Sequence, residues 1–361
     1  GYIDILLGVT KLFVDCKQNT FCTWVGIYPL MVTSDPDLIE KILSSPELLE
    51  KSKVIYEPLY DAFRGGLLSS PAKEWYPHRK LINPSFNHRV ILSFLPIFHK
   101  AKKHILSKFD TLVGTGEHKL SEMILHTTMR ISVVKLYTNI YKTGKNGTIH
   151  SDCAAERQEY NVKINNLQSF DTIANVILST IIMLAMYPDV QEKLYAEIVG
   201  LFPEKDFEME YEHMEQLPYL DMVINETMRL APAAPIIARQ PEKDTQLTKD
   251  ILLPNGLQII ISIYHLHRNT DIWGPNADKF NPDNFLPENL AAKHSHAFIP
   301  FSKGPRNCIG WRYALFVMKV VIAGSVRNFR YTTTFKYEDL VYLENITIKY
   351  LVEPGIKIYR R

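Results

Sequence analysis

Cysteine is scarce in this chain of 361 residues: Cys16, Cys22, Cys153 and Cys308 are all there are. Four thiols at irregular spacing exclude a disulfide scaffold and a four-thiolate zinc site, and a reducing compartment is the simplest home for them. Net charge is also small. Lysine and arginine number 41 against 39 acidic residues, a balance of +2, which argues against a nucleic-acid binder driven by electrostatics. Long apolar runs are missing too. The longest uncharged stretch, Thr172 to Pro188, only touches the lower limit for a membrane-spanning helix. Asn175, Ser179, Thr180 and the closing Tyr187-Pro188 point to a buried core helix instead. Residues Gly1 to Phe13 are broken by Asp4 and Lys11 and read as neither signal peptide nor span. No repeat of 20–50 residues and no low-complexity linker is visible, which favours one extended domain over an array.

What is present is globular in composition, 46% hydrophobic and 22% charged. An apolar strand is expected at Ile27 to Val32. After it, Asp35 can cap a helix with Pro36 at its first position. Helical spacing from Val90 to Met129 predicts two helices broken near Gly114 and Gly116. Residues 131–165 carry weak periodicity and no assignable structure. Helices follow over 172–187, 188–201 and 218–230, and a last long one over 309–326. Two hairpins are expected, one turning at Pro254-Asn255-Gly256 between 245–252 and 257–264, the other at Glu353-Pro354-Gly355. The fold class is therefore mainly α with small β-sheets. Sequons at Asn146, Asn225 and Asn345 carry little weight, since Asn225 falls inside a helical segment.

The strongest chemical signal is Phe301-Ser302-Lys303-Gly304-Pro305-Arg306-Asn307-Cys308-Ile309-Gly310. It sets a cysteine on a glycine-bracketed loop at the start of an apolar helix, where backbone N–H groups and the helix dipole favour a thiolate. An isolated cysteine would more often be an inert buried thiol. The pattern Phe-x-x-Gly-x-Arg-x-Cys-x-Gly, however, arises by chance on the order of 10⁻⁵ times in a chain of this composition. It resembles the haem-thiolate loop of the cytochrome P450 family at every specified position. A second motif, Glu226-x-x-Arg229 on the helix 218–230, places acid and base on one helical face and is similar to the Glu-x-x-Arg that braces the haem loop in that family.

The resemblance implies an α-rich prism holding haem b, with Cys308 as the axial iron ligand and Phe301, Gly304, Arg306 and Gly310 shaping the loop. Arg239, Trp75 and Arg79 join Arg306 as candidates for the haem propionates, although Pro77 between Trp75 and Arg79 is expected to displace that pair. The brace would comprise Glu226, Arg229 and Asn284, the last standing where the family's Pro-Glu-Arg-Phe-like segment has arginine. Further likeness runs through 75–88, Tyr187 to Lys193, and Leu266-His267-Arg268 ahead of Trp273-Gly274-Pro275. It is most similar to the microsomal, fatty-acid-hydroxylase-like branch of animals, particularly insects. The implied activity is a monooxygenase that inserts one oxygen atom from O₂ into a small hydrophobic substrate. An NADPH-dependent flavoprotein reductase would supply electrons, with no nucleic acid involved. The full-length form would associate with the endoplasmic reticulum membrane on its cytosolic face. Lys100, Lys102, Lys103 and Arg312 are candidates for the reductase-docking face, and a solvated surface explains them equally well.

Residues 1–361 are expected to form a single domain of that family, its N-terminal anchor absent and about 131–180 shortened, so that parts of the central and roof helices are missing. The family's Gly-x-Asp/Glu-Thr motif for oxygen activation has no match in the helix that ends at Tyr187-Pro188, so no catalytic threonine is assigned. Thr180 or Ser179 could substitute only if that helix slid. The rival reading is a non-catalytic haem-binding remnant, a truncated isoform or an incomplete gene model.

Overall fold

The computed structural model describes residues 5–63, 66–129, 171–345 and 347–361. The readings placed on 131–165, Cys153 and most of the shortened stretch, as far as residue 170, lie outside these residues. Local signals set several elements as expected. Asp35 caps the helix Pro36–Ser44, its carboxylate accepting the Leu38 N–H at 2.8 Å. Pro188 and Pro218 each occupy the first turn of their helices, Pro188–Leu201 and Pro218–Leu230, where a missing N–H costs nothing.

The helix Asp171–Met186 is buried on every side from Ile173 to Ala185, and Ile177, Ile181, Ile182, Met183 and Leu184 are completely buried. Such a helix belongs in a core. It meets Pro188–Leu201 at a bend of 113°, and among the described residues no single helix is long and apolar enough to cross a membrane. The last long helix, Trp311–Asn328, packs against Leu95–Asp110 and Pro188–Leu201. Its Gly324 admits the stem of Lys102, whose Cδ would lie 2.5 Å from any added Cβ. Lys102 is consequently buried, with its ammonium on the Phe207 carbonyl and 4.2 Å from the Phe207 ring. It is no part of a docking face.

Three expectations about local structure are corrected. The segment 88–129 forms three helices, His88–Leu92, Leu95–Asp110 and residues 121–129, because Ser93 and Phe94 interrupt the first. The turn at Pro254 to Gly256 does form, but it joins no hairpin. Thr245–Thr248 pairs with Ile251–Leu253, while Gln258–Ser262 enters a four-stranded sheet between Tyr28–Thr33, to which it runs parallel, and Ile236–Arg239. The C-terminal hairpin turns earlier than expected, pairing Tyr342–Asn345 with Thr347–Tyr350. Ile356–Arg360 instead pairs with Phe329–Thr332 and Glu117–His118.

Candidate active site

Cys308 precedes the helix Trp311–Asn328 on a loop tied by two backbone bonds, Cys308 N–H to Phe301 O at 2.9 Å and Asn307 N–H to Gly304 O at 3.1 Å. Gly304 has φ +73, and a Cβ there would stand 2.0 Å from the Leu43 carbonyl oxygen. Only glycine fits that approach to the helix Pro36–Ser44. Gly310 lies where an added Cβ would meet the Phe86 ring at 3.4 Å. The Cys308 side chain is reached by solvent, yet atoms crowd the sulfur closely enough for desolvation to push its thiol above the ordinary range. The Gly310 N–H and the Arg79 guanidinium pull the other way. A solvent-reached sulfur with a donor and a cation aimed at it is suited to act as a metal ligand, because a metal removes the proton that the crowding favours.

The helix Ala72–Ile82 runs unbroken through Pro77, and both residues of the Trp75/Arg79 pair reach the loop. Arg79 donates to the Asn307 carbonyl at 2.7 Å and to its side-chain oxygen at 2.9 Å. Trp75, 3% exposed, lies under the Arg306 guanidinium at 4.7 Å. Arg306 itself donates to the carbonyls of Leu49 and Ser70 at 2.7 and 2.8 Å, while its Nε has no partner.

Beside Arg306 lie two more buried cations, Arg239 at the end of its strand and Lys51, which the motifs do not single out. Burial lowers all three; it brings Arg306 down to about 10 with the Arg239 charge adding to it, and Arg239 and Arg306 further depress Lys51. Among the described residues, no ion pair with a carboxylate involves any of them. Lys51 rests on the Tyr56 ring at 4.4 Å, and the Glu50 carboxylate is turned to the Ala72 N–H at 2.7 Å. The Glu50 charge opposes the lowering at Arg306 without overcoming it, and buried like charges are costly. The cluster fits a ligand carrying carboxylates, as haem does with its propionates.

The brace assembles behind the loop. Glu226 and Arg229 are fully buried and joined by two bonds, Arg229 Nε to Oε2 at 2.6 Å and Nη2 to Oε1 at 2.7 Å. Burial pushes the Glu226 carboxyl up, and Arg229, the Asn281 N–H and the Asn284 amide oppose it. Asn284 donates to Oε1 at 3.1 Å and the Asn281 N–H at 2.8 Å, so the amide is a partner of the brace. Arg229 also donates to the carbonyls of His267 at 2.7 Å, Ala277, and Lys279 at 3.0 Å. The His267 ring, held neutral by burial that brings it down to about 3, accepts the Ile299 N–H at 3.0 Å. Brace and cysteine loop are thus connected through one imidazole.

A family model, Cytochrome P450, matches residues 8–149 and 145–345. The chain belongs to the cytochrome P450 family. It is 33% identical to "Probable cytochrome P450 313a4" of Drosophila melanogaster over 442 aligned positions, covering 99% of this chain and 89% of that protein. It is 32% identical to "Probable cytochrome P450 313a1" of the same insect, with 98% and 89% covered. Against "Cytochrome P450 4c21" of Blattella germanica the figures are 26%, 90% and 82%. Membership of this P450 family makes the chain an oxidoreductase of the monooxygenase class. The family generally uses thiolate-ligated haem, a redox partner and hydrophobic substrates, and its animal members are generally membrane-associated.

Two alcohols considered for proton relay are engaged elsewhere. Thr180 donates to the Val176 carbonyl of its own helix at 2.8 Å, and Ser179 accepts the Tyr350 hydroxyl at 2.7 Å. The strict glycine motif overlooks one pair. With serine allowed at its first position, Ser169-x-Asp171-Thr172 matches, and Asp171-Thr172 begins the buried helix. The Asp171 carboxylate is held by the Thr347 hydroxyl and the Lys349 ammonium of the C-terminal hairpin.

Proposed function

We propose that Cys308 is the axial thiolate of a b-type haem, and that the chain, as one domain, inserts one oxygen atom from O₂ into a hydrophobic organic substrate. The electrons come from NADPH through a flavoprotein reductase at the endoplasmic reticulum membrane. The observation that carries this reading is the group of buried cations, Lys51, Arg239 and Arg306, lacking carboxylate partners beside the loop that presents Cys308. When bound, haem supplies reductive activation of O₂, and thiolate donation favours O–O cleavage.

The chain's own residues provide the setting. Arg306, Arg239 and Lys51 receive the propionates with Trp75 beneath Arg306. Arg79 fixes Asn307, and the Gly310 N–H steadies the sulfur charge. The Glu226–Arg229 brace holds the backbone that leads to Ile299. Asp171 and Thr172 are the acid and alcohol available for moving a proton, with Lys349 and Thr347 orienting the Asp171 carboxylate. Exposed Trp24, Val25 and Ile27 at the tip of the first hairpin support contact with a membrane.

A reduced carbon monoxide difference spectrum of the haem-loaded chain tests the ligand. The red-shifted thiolate band is expected in the wild type and is lost in Cys308→Ala. Its survival in that variant, or its absence from the wild type, overturns the assignment. A second reading, haem binding without turnover, is favoured by the tie of Asp171 to Lys349. Product formation coupled to NADPH consumption excludes that reading.

A further inference from the structure

We propose that Glu40, His294 and His296, with Asp37 as a fourth ligand, form a binding site for one divalent first-row cation, Zn²⁺ by its chemistry. Asp37 and Glu40 stand three residues apart on one face of the helix Pro36–Ser44. The histidines come from the turn that follows the short helix Pro287–Ala291. One ligand atom each from Glu40, His294 and His296 lies within 4.8 Å of the other two.

The spacing is that of ligands sharing an ion. His294 Nε2 lies 3.3 Å from Glu40 Oε2 and 3.5 Å from Asp37 Oδ1, and His296 Nδ1 lies 3.6 Å from Glu40 Oε1. Charge-assisted hydrogen bonds between such groups close to about 2.7–2.9 Å, so all three pairs stop short of direct contact. Tetrahedral zinc with bonds of about 2.0–2.1 Å separates its ligands by roughly 3.3–3.5 Å; the two His294 pairs fall in that range, and the His296 pair, made to the other Glu40 oxygen, lies just beyond it. Two imidazoles and two carboxylates suit zinc better than calcium or magnesium. Side-chain exposure rises from 8% at His296 through 28% at His294 and 46% at Glu40 to 75% at Asp37, a graded path from solvent to the innermost ligand.

Other contacts at the site shape how it loads. His294 Nδ1 accepts the His296 N–H at 3.0 Å, which places the neutral ring's proton on Nε2. Loading moves that proton to Nδ1, gives up this hydrogen bond and turns the ring. Ser295 Oγ, 3.0 Å from His296 Nδ1, must also yield. The Lys303 ammonium, held on the Ser295 carbonyl, weakens the site by its charge. A bound ion would fasten the first turn of Pro36–Ser44 to the segment running through Ile299 and Phe301 into the cysteine loop. The same helix already meets that loop where Leu43 abuts Gly304.

The test is calorimetric titration of the full chain with zinc chloride, paired with X-ray absorption at the zinc edge. One equivalent is expected to bind with only nitrogen and oxygen ligands. Glu40→Gln and His294→Ala should each weaken it by at least about tenfold, while His126→Ala, on an exposed helix position, leaves it unchanged. Thermal melts of the zinc-free variants confirm folding, and a variant that fails to fold is replaced by Asp37→Asn, whose side chain is the most exposed. Absence of a saturable equivalent, sulfur among the ligands, or affinities within about twofold of wild type in the folded variants overturns the proposal.

Discussion

Replacing Arg229 by alanine probes how the brace supports the cysteine loop, because one side chain there satisfies both a buried carboxylate and three buried carbonyls. Glu226 would keep only the Asn281 N–H and the Asn284 amide, and the carbonyls of His267, Ala277 and Lys279 would lose their donor. Removing one partner of a buried ion pair costs about 3–5 kcal/mol. The unfolding entropy is roughly 2 cal/mol/K per residue, so a chain of 361 residues should lose about 4–7 °C in melting temperature. Asn284→Ala removes one neutral hydrogen bond of 3.1 Å and should cost about 1 kcal/mol. Differential scanning calorimetry of the two variants and the wild type measures both. The double variant should lose less than the sum, since both residues serve the same carboxylate. An Arg229→Ala shift below about 1 °C, or one equal to that of Asn284→Ala, would falsify the view that this arginine carries the brace.

Acid should weaken the fold through His267. Its folded value of about 3 lies below the ordinary histidine value of 6.5, so the unfolded chain takes up the proton first. Its contribution is complete above about pH 6.5 and falls by about 1.4 kcal/mol per pH unit down to about pH 3; urea melts across that window should show the slope, and His267→Gln should flatten it. Gly304→Ala combines a left-handed backbone with a 2.0 Å approach to the Leu43 carbonyl and should cost at least about 2 kcal/mol. Gly200→Ala, with nothing within 4 Å, should be neutral or slightly stabilising in the same denaturant melts. Lys51→Met should act in opposite directions: it relieves repulsion from Arg239 and Arg306, raising the stability of the haem-free chain by about 1 kcal/mol, and it weakens haem binding in a spectroscopic titration. Equal loss of both properties would remove Lys51 from the propionate cluster.

Features legible in the sequence were those whose cause is local. The Asp35 cap, the prolines opening Pro188–Leu201 and Pro218–Leu230, and the three-residue step from Glu226 to Arg229 all need only neighbours along the chain. Cys308, Gly304 and Arg306 were legible because their loop follows a fixed pattern. Pairing of strands was not, since Gln258–Ser262 finds its parallel partner more than two hundred residues earlier, at Tyr28–Thr33. The turn at Gly256, with φ +80, formed as its residues dictate, but a turn does not choose a partner strand. Lys51 escaped notice for the same reason. Nothing in its neighbourhood marks it, and only folding brings it to Arg239 and Arg306.

Asn284 shows how a departure from the family pattern can be read once the partners are visible. Glu226 receives four donors, Arg229 Nε on Oε2 and Arg229 Nη2, the Asn281 N–H and the Asn284 amide on Oε1. An arginine at 284 would stand in for the Asn284 amide as a donor and would add a positive charge. With asparagine there, among the described residues the neutralisation of Glu226 falls to Arg229. That concentration of charge in one residue is why its loss should cost several times more than the loss of Asn284, and why the two substitutions separate the ionic part of the brace from its hydrogen-bonded part.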